Sequence, residues 1–332
     1  MNKYIDLNEK ILVAGGSGMV GSAIVRKLLD HGYGQEQNGG KVLSPTRKEL
    51  DLTDNFEVEN WFRRYKPTIV IIAAAKVGGI MANKVSPAQF LFENIKIQTN
   101  LIENSWRLGI KRLLFLGSSC IYPKYAEQPI KEESLLSGAL ENTNEYYAIA
   151  KIAGIKMCQS LRIQYGFDAI SLMPTNLYGP KDNYHKDNSH VMASFIRKFS
   201  NAKIRNESYV TCWGTGNPLR EFLHVDDLAE AVIYTLEIWN PDDDNAPLDD
   251  QGNPLHFLNV GTGKDLSIKE LANKISNIIG FKGNIKWDLT KPDGTPKKQL
   301  NIKKISELGW SPKINLDDGI INTIKNYKNN FD

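Results

Sequence analysis

Tyr147 and Lys151 stand four residues apart in a stretch, 146–164, that reads as helix, so both side chains leave one face. An ammonium beside a phenol favours the phenolate. Tyr147 is therefore expected to titrate below the ordinary value of about 10 and to exchange protons near neutrality. Tyr146 lies five residues from Lys151 and points off that face. A tyrosine and a lysine at this spacing are common on helices, and the pair alone decides nothing. A second signal precedes it. Gly15, Gly18 and Gly21 follow an apolar run directly and open a helical stretch, the place where a backbone must approach a pyrophosphate. Their spacing, G-x-x-G-x-x-G, has strand, loop and helix in the order such a site needs. The second apolar run ends in Ser44, Pro45, Thr46, Arg47 and Lys48, with no carboxylate where an NAD-specific site binds the ribose 2'-hydroxyl. Arg47 can pair instead with a 2'-phosphate through two parallel hydrogen bonds, which favours NADP over NAD. Asp51, four residues on, is expected to face the adenine.

Five short β-rich runs must position these groups: 10–15, 41–44, 68–75, 111–117 and 168–174. Continuous apolar runs of this kind read as buried parallel strands. Helical stretches at 19–30, 55–64, 87–108 and 146–164 separate them, which predicts an α/β fold, a doubly wound parallel (Rossmann) sheet with right-handed crossovers. Ligands then belong at the carboxyl ends of the strands. After Pro174 the pattern loosens, with a helix expected at 226–239 and an apolar run at 256–260. We expect residues 1–177 plus 224–261 to form the cofactor domain, and 178–223 plus 262–332 a smaller, discontinuous α/β substrate domain. Segments 32–40 and 241–254 read as solvated surface turns; the five aspartates of the second lack the order of a calcium loop.

Composition narrows the function classes. The 332 residues include 41 Lys plus Arg against 38 Asp plus Glu, a net charge of +3, and 41% are apolar. Disorder, collagen-like repetition and a disulfide scaffold do not fit these values, and three cysteines suit a reduced, cytoplasmic setting. The longest apolar run, 69–75, is far short of the roughly twenty residues a span needs, and the amino terminus lacks an apolar export segment. No membrane or nucleic-acid partner is expected, and the scattered His and Cys residues lack metal-ligand spacing.

The glycine loop, the Ser118 and Ser119 pair after the fourth run, and Tyr147-x-x-x-Lys151 together resemble the extended short-chain dehydrogenase/reductase family of nucleotide-sugar enzymes. Longer segments resemble, within it, the family of GDP-L-fucose synthases, which are GDP-4-keto-6-deoxy-D-mannose 3,5-epimerase-4-reductases. These are AAAKVGGI (73–80), LGSSCIYPK (116–124), YAIAKIAGIKMC (147–158), MPTNLYGPKDN (173–183), NSHV (188–191), WGTGNPLREFLHVDD (213–227) and KPDGTPKK (291–298). The resemblance runs from about residue 10 to the last helix.

It implies an NADPH/NADP cradle from Gly15, Gly16, Ser17 and Gly18 through Met19, Val20 and Gly21, with Arg47, Asp51 and Leu52 on the adenosine side. The nicotinamide side is implied at Leu116, Gly117, Ser118, Ser119, Lys151 and His190, backed by Pro174, Thr175, Asn176 and Leu177. It also implies a catalytic set of Ser118, Cys120, Tyr147, Lys151 and His190. A ketone at C4 acidifies the hydrogens at C3 and C5, so inversion at each carbon needs one group to remove a proton and another to return it from the opposite side. The resemblance gives Cys120 and His190 these base and acid roles; without it they read as an inert thiol and a capping or surface histidine. Hydride then reduces C4, Tyr147 supplies the proton, Ser118 holds the carbonyl oxygen, and Lys151 tunes Tyr147 and binds the ribose.

GDP carries two phosphates and needs cations. The family's positions fall on Lys198, Arg220 and Lys298, with Trp213 and Asp293 beside them, Asp293 as an acceptor for guanine or sugar hydroxyls or as a turn residue. Two departures stand out: Gly16 and Ser17 replace a loop arginine found in some bacterial members, and Lys198 replaces an arginine, keeping charge without the two-pronged geometry. The substrate implied is GDP-4-keto-6-deoxy-mannose, and the partner a second copy joined through a four-helix bundle of 87–108 and 146–164. Alternatives are a related GDP-sugar epimerase-reductase of colitose or heptose type, or a dinucleotide-binding sensor without turnover. The intact set of proton-transfer residues argues against the sensor.

Overall fold

The apolar runs become strands of one sheet in the computed structural model, which describes residues 3–186 and 188–331. The first half alternates as expected: β1 (Lys10–Ala14), α1 (Met19–Asp30), β2 (Lys41–Leu43), α2 (Asn55–Tyr65), β3 (Ile69–Ile72), α3 (Ile80–Val85), α4 (Pro87–Arg107), β4 (Arg112–Leu116), α5 (Glu145–Tyr165) and β5 (Ala169–Pro174). Then follow β6 (Asn176–Tyr178), α6 (Val191–Ile204), β7 (Tyr209–Trp213), β8 (Leu219–His224), α7 (Val225–Ile238), β9 (Phe257–Val260), β10 (Asp265–Ser267), α8 (Ile268–Ile279), β11 (Asn284–Asp288), β12 (Lys297–Lys298), α9 (Lys303–Glu307) and α10 (Leu316–Phe331).

The main sheet has the order β2-β1-β3-β4-β5-β9 and every pairing in it is parallel. Successive side chains leave opposite faces, so both faces are buried. Ile11 and Val13 of β1 pack with Ile24 and Leu28 of α1 and Val232 and Leu236 of α7. Leu12 and Ala14 pack with Phe62 of α2, Leu101 of α4 and Ile155 of α5. From β1 the chain steps outward to β2, then returns to β3 on the other side. The carboxyl ends of β1 and β3 therefore mark a topological switch point, where a crevice must open.

A third core joins Tyr178 to Phe222 with Leu271 to Tyr327, beneath β8 and its neighbours β6, β10 and β12 and the parallel pair β7 and β11. Ile305 and Trp310 instead pack into the α1–α7 core of the main sheet, so α9 crosses back to the first unit. Segment 32–40 is not wholly solvated: Tyr33 is buried and its hydroxyl donates to Glu237 at 2.7 Å. Segment 241–254 is tied down as well, Asp242 pairing with Arg162 at 2.6 Å and Asp243 accepting from Tyr4 at 2.5 Å. Among the described residues, no helix is long and apolar enough to cross a membrane.

Candidate active site

The loop between β1 and α1 is built for close approach. Gly15 has φ +86°, and a Cβ there would stand 2.8 Å from the Ala74 backbone after β3. A Cβ on Gly21 would collide with the Gly15 carbonyl. Only glycines let the loop lie this low over the switch point. Gly18 caps α1 without a side-chain bond, and the first turn, with Met19 and Val20, has no acidic residue. The free N–H groups of a twelve-residue helix thus face the crevice, a fit for a diphosphate. Gly16 and Ser17 complete the loop.

Arg47 is exposed in the turn after β2, where Glu49 accepts from Thr46 N at 2.7 Å and from Thr46 Oγ1 at 2.9 Å. It makes no ion pair among the described residues. Asp51 accepts from Thr53 N at 2.9 Å and Oγ1 at 2.7 Å, and these bonds hold its carboxyl below the usual range. The Leu52 carbonyl is fixed by Asn100 Nδ2 at 3.0 Å.

On the other side of the switch point, β4 ends at Leu116, and Gly117, Ser118 and Ser119 lead to Cys120. Ser118 Oγ accepts from Cys120 N at 3.2 Å. The sulfur of Cys120 is approached by two donors, Asn144 Nδ2 at 3.1 Å and Lys298 Nζ at 3.9 Å. Tyr147 lies beside this sulfur and beside the Ser118 hydroxyl, both of which influence its titration.

The expected acidification of Tyr147 is not found. Burial raises its titration point, Cys120 adds to the rise, and Ser118 opposes it only in part. The reason lies in the direction of the ammonium. Lys151 Nζ donates to the Leu116 carbonyl at 2.8 Å and sits over the Phe115 ring at 4.7 Å, leaving it 5.9 Å from the Tyr147 centroid. Burial also pulls Lys151 down to about 7, so it has only part of a charge to lend at neutrality.

Strand β5 ends at Pro174. Thr175 N donates to the Val260 carbonyl at 3.0 Å, and Asn176 Nδ2 donates to the Glu221 carbonyl at 2.8 Å. Leu177 packs against the main core. His190 caps α6 through its backbone alone. It keeps open surface yet is enclosed by protein, as at a cleft wall, and the enclosure lowers its titration point. Its loop meets the segment after β3: Gly79 N donates to the Asn188 carbonyl at 3.4 Å, and a Cβ on Gly79 would stand 3.0 Å from the Ser189 carbonyl. A Cβ on Gly78 would be 3.2 Å from Phe90, whose ring is edge-on to Tyr147 at 6.5 Å. These contacts carry the wall from His190 to Tyr147.

The opposite wall is basic. Lys298 of β12 and Arg220 of β8 are register partners in a parallel pair, so both side chains leave one face. Burial lowers Arg220, and Cys120, Glu141 and Asp293 act the other way. Lys198 Nζ donates to the Thr211 carbonyl at 2.9 Å and lies 5.5 Å from the centre of Trp213, which Lys291 also approaches at 5.6 Å. Asp293 is spent inside the protein: its carboxylate accepts from Thr215 N and Oγ1, each at 2.8 Å, pinning the turn after Trp213.

Residues 11–246 match the NAD dependent epimerase/dehydratase family. The chain belongs to that family. It is 52% identical to GDP-L-fucose synthase 1 of Arabidopsis thaliana over 98% of this chain and 95% of that protein. It is 46% identical to GDP-L-fucose synthase of Escherichia coli K12 over 98% of each chain. Among solved structures it resembles a GDP-mannoheptose C4 reductase from Campylobacter jejuni with NADP bound, with TM-score 0.84 and 37% identity over 98% of this chain and 99% of that one. The family's cofactor is a nicotinamide dinucleotide, and the glycine loop at the switch point fits that group.

Two residues of the site were not singled out from sequence. Asn144 reaches Cys120 from the turn before α5; its signal was an asparagine at a helix start, three residues before Tyr147. Glu221 is fully buried, and its carboxylate accepts from Gly263 N at 2.7 Å and Leu300 N at 2.8 Å. It fixes the strand end next to Arg220 to the segment that carries Lys298. A carboxylate between Arg220 and Phe222 in the strand LREFLH was its signal.

Proposed function

We propose that the chain converts GDP-4-keto-6-deoxy-mannose to GDP-L-fucose, by epimerisation at C3 and C5 followed by reduction at C4. The observation that carries this reading is the Cys120 sulfur, held as an acceptor by Asn144 and Lys298 and set beside the phenol of Tyr147. A plain reductase has no need of a thiol at that place. The relatives named GDP-L-fucose synthase support the same substrate and product.

In this mechanism Cys120, as thiolate, takes the proton made acidic by the C4 ketone, and the C–H electron pair passes into an enediolate. His190, entering the step as the imidazolium, gives a proton from the other side, inverting the carbon and ending as the neutral imidazole. Lys298 and Arg220, side by side on β12 and β8, stabilise the negative charge spreading to the C4 oxygen. Bound NADPH supplies the hydride that reduces C4. Tyr147, kept as the neutral phenol by burial, gives its proton to the developing alkoxide, and Ser118 donates a hydrogen bond to the same oxygen. Lys151 anchors the ribose hydroxyls. We assign the 2'-phosphate to Arg47, hence NADPH, and the GDP phosphates to Lys198 and Arg220, with Trp213 beside them. The cofactor is assigned to 1–177 plus 224–261 and the sugar nucleotide to the remainder.

We also propose a cytoplasmic homodimer through α4 and α5, on which Phe92 and Ile163 are 63% and 71% exposed. Such apolar exposure on paired helices suits a second copy.

The test combines NADPH consumption at about 340 nm with solvent-deuterium incorporation and product identification by NMR. Cys120→Ser is expected to abolish deuterium entry at C3 and C5 while the fold survives. Tyr147→Phe is expected to block reduction and permit that exchange. The reverse pattern would refute the assignment of roles, and a product other than GDP-L-fucose would refute the substrate.

A further inference from the structure

Asn144 is the N-cap of α5, the helix that carries Tyr147 and Lys151, yet its side chain makes no capping bond. An asparagine at this position ordinarily accepts from a backbone N–H two or three residues on, a recognised source of helix stability. Here that stabilisation is forgone. Nδ2 donates to Cys120 Sγ at 3.1 Å, and Oδ1 is buried without a partner. A buried amide oxygen left unpaired is costly, and its persistence at a site calls for a reason.

We propose that Asn144 is a positioning residue for Cys120. Its Nδ2–H stabilises the thiolate that removes the sugar proton, and its Oδ1 accepts from a hydroxyl of the bound sugar. The two halves of one amide thus tie the state of the base to the placement of the carbon it attacks. When the thiolate takes the proton, the C–H pair moves into the enediolate and the sulfur becomes a weak acceptor, so the donor bond from Asn144 loosens as the step completes. This role rests on the epimerase reading given above.

The other groups facing the sulfur are Lys298 from β12, Arg220 from β8, and Tyr147 from α5. Glu141, the nearby carboxylate, is held by Lys124 at 3.0 Å and by Thr295 at 3.3 Å. The two cations stay beside the sulfur with or without Asn144, so its loss is expected to weaken proton removal by Cys120 rather than abolish it.

Alkylation by iodoacetamide, followed across pH by intact mass on the full chain without cofactor or substrate, reads Cys120, because Cys158 and Cys212 are buried. Asn144→Ser keeps a hydroxyl able to cap α5 but too short to reach the sulfur; Asn144→Asp keeps the shape and removes both N–H donors. The alkylation midpoint is expected to rise by about one pH unit in Asn144→Ser and further in Asn144→Asp. Deuterium incorporation into the sugar at pH 7 is then expected to fall about tenfold or more. Alkylation profiles that superimpose on the wild type would overturn the proposal. The profile involves no substrate, so that outcome leaves the epimerase reading untouched. A wild-type chain that exchanges no deuterium would sink the epimerase reading and the sugar-proton role that rests on it, whatever the alkylation profiles show.

Discussion

Replacing Lys151 by methionine separates the burden of burying a charge from its use in the site. Methionine preserves the unbranched apolar stem and removes the ammonium. Burial moves Lys151 from its ordinary 10.5 to about 7, so in the cofactor-free protein the charged form is disfavoured by about 5 kcal/mol at most. The substitution relieves this but loses the bond to Leu116 O at 2.8 Å and the contact with the Phe115 ring. An unpaired carbonyl costs roughly 1–3 kcal/mol and a lost cation–π contact about 1 kcal/mol. The net expectation at pH 6 is a methionine variant more stable by about 1–3 kcal/mol. The sign depends on pH. Below about 7 the lysine is protonated in both the folded and unfolded states, and the penalty is fully present. Between 7 and 10.5 the unfolded chain binds more protons than the folded one, so wild-type stability rises with pH relative to the variant. From pH 6 to pH 9 the variant's advantage is expected to shrink by about 3 kcal/mol, or about 4 °C in Tm for a chain of this length. Thermal unfolding of both cofactor-free proteins at the two pH values measures this, with NADPH consumption confirming that the stabilised variant no longer reduces. A gap that stays constant, or widens at pH 9, would refute the claim that the buried ammonium burdens the fold.

Two further outcomes follow from single exposed residues. Arg47→Ala is expected to raise KM for NADPH by roughly 10–100-fold and leave NADH nearly unaffected, the range of a lost charge-assisted hydrogen bond; equal effects on both cofactors would remove Arg47 from the 2'-phosphate. Ile163→Glu on α5 is expected to give a monomer by light scattering where the wild type is a dimer. A monomeric wild type would end the proposed four-helix interface.

The β-rich runs and long helices of the first half were legible because parallel strands buried on both faces must be apolar throughout, and because α4 and α5 are each 21 residues long. The glycine loop was legible for a similar reason: steric demand at Gly15 and Gly21 leaves no other residue type. The second half was harder. Its strands are short, β12 only two residues, and pair with partners far away in the chain, so local periodicity carried little signal. The return of Ile305 and Trp310 to the main core depends on packing between distant segments and left no pattern to read.

The titration of the site divides in the same way. The sequence by itself determined that a phenol and an amine share a helix face, that a thiol follows the fourth strand, and that cations recur in the second half of the chain. Only the tertiary structure decided that Lys151 turns its ammonium to the Leu116 carbonyl, that Lys298 and Asn144 converge on Cys120, and that Asp293 is consumed in holding a turn. Spacing along a helix fixes which side chains are neighbours. The direction of a hydrogen bond, and the loss of water that sets a charge's free energy, depend on strands and loops that reach the same place from distant parts of the chain.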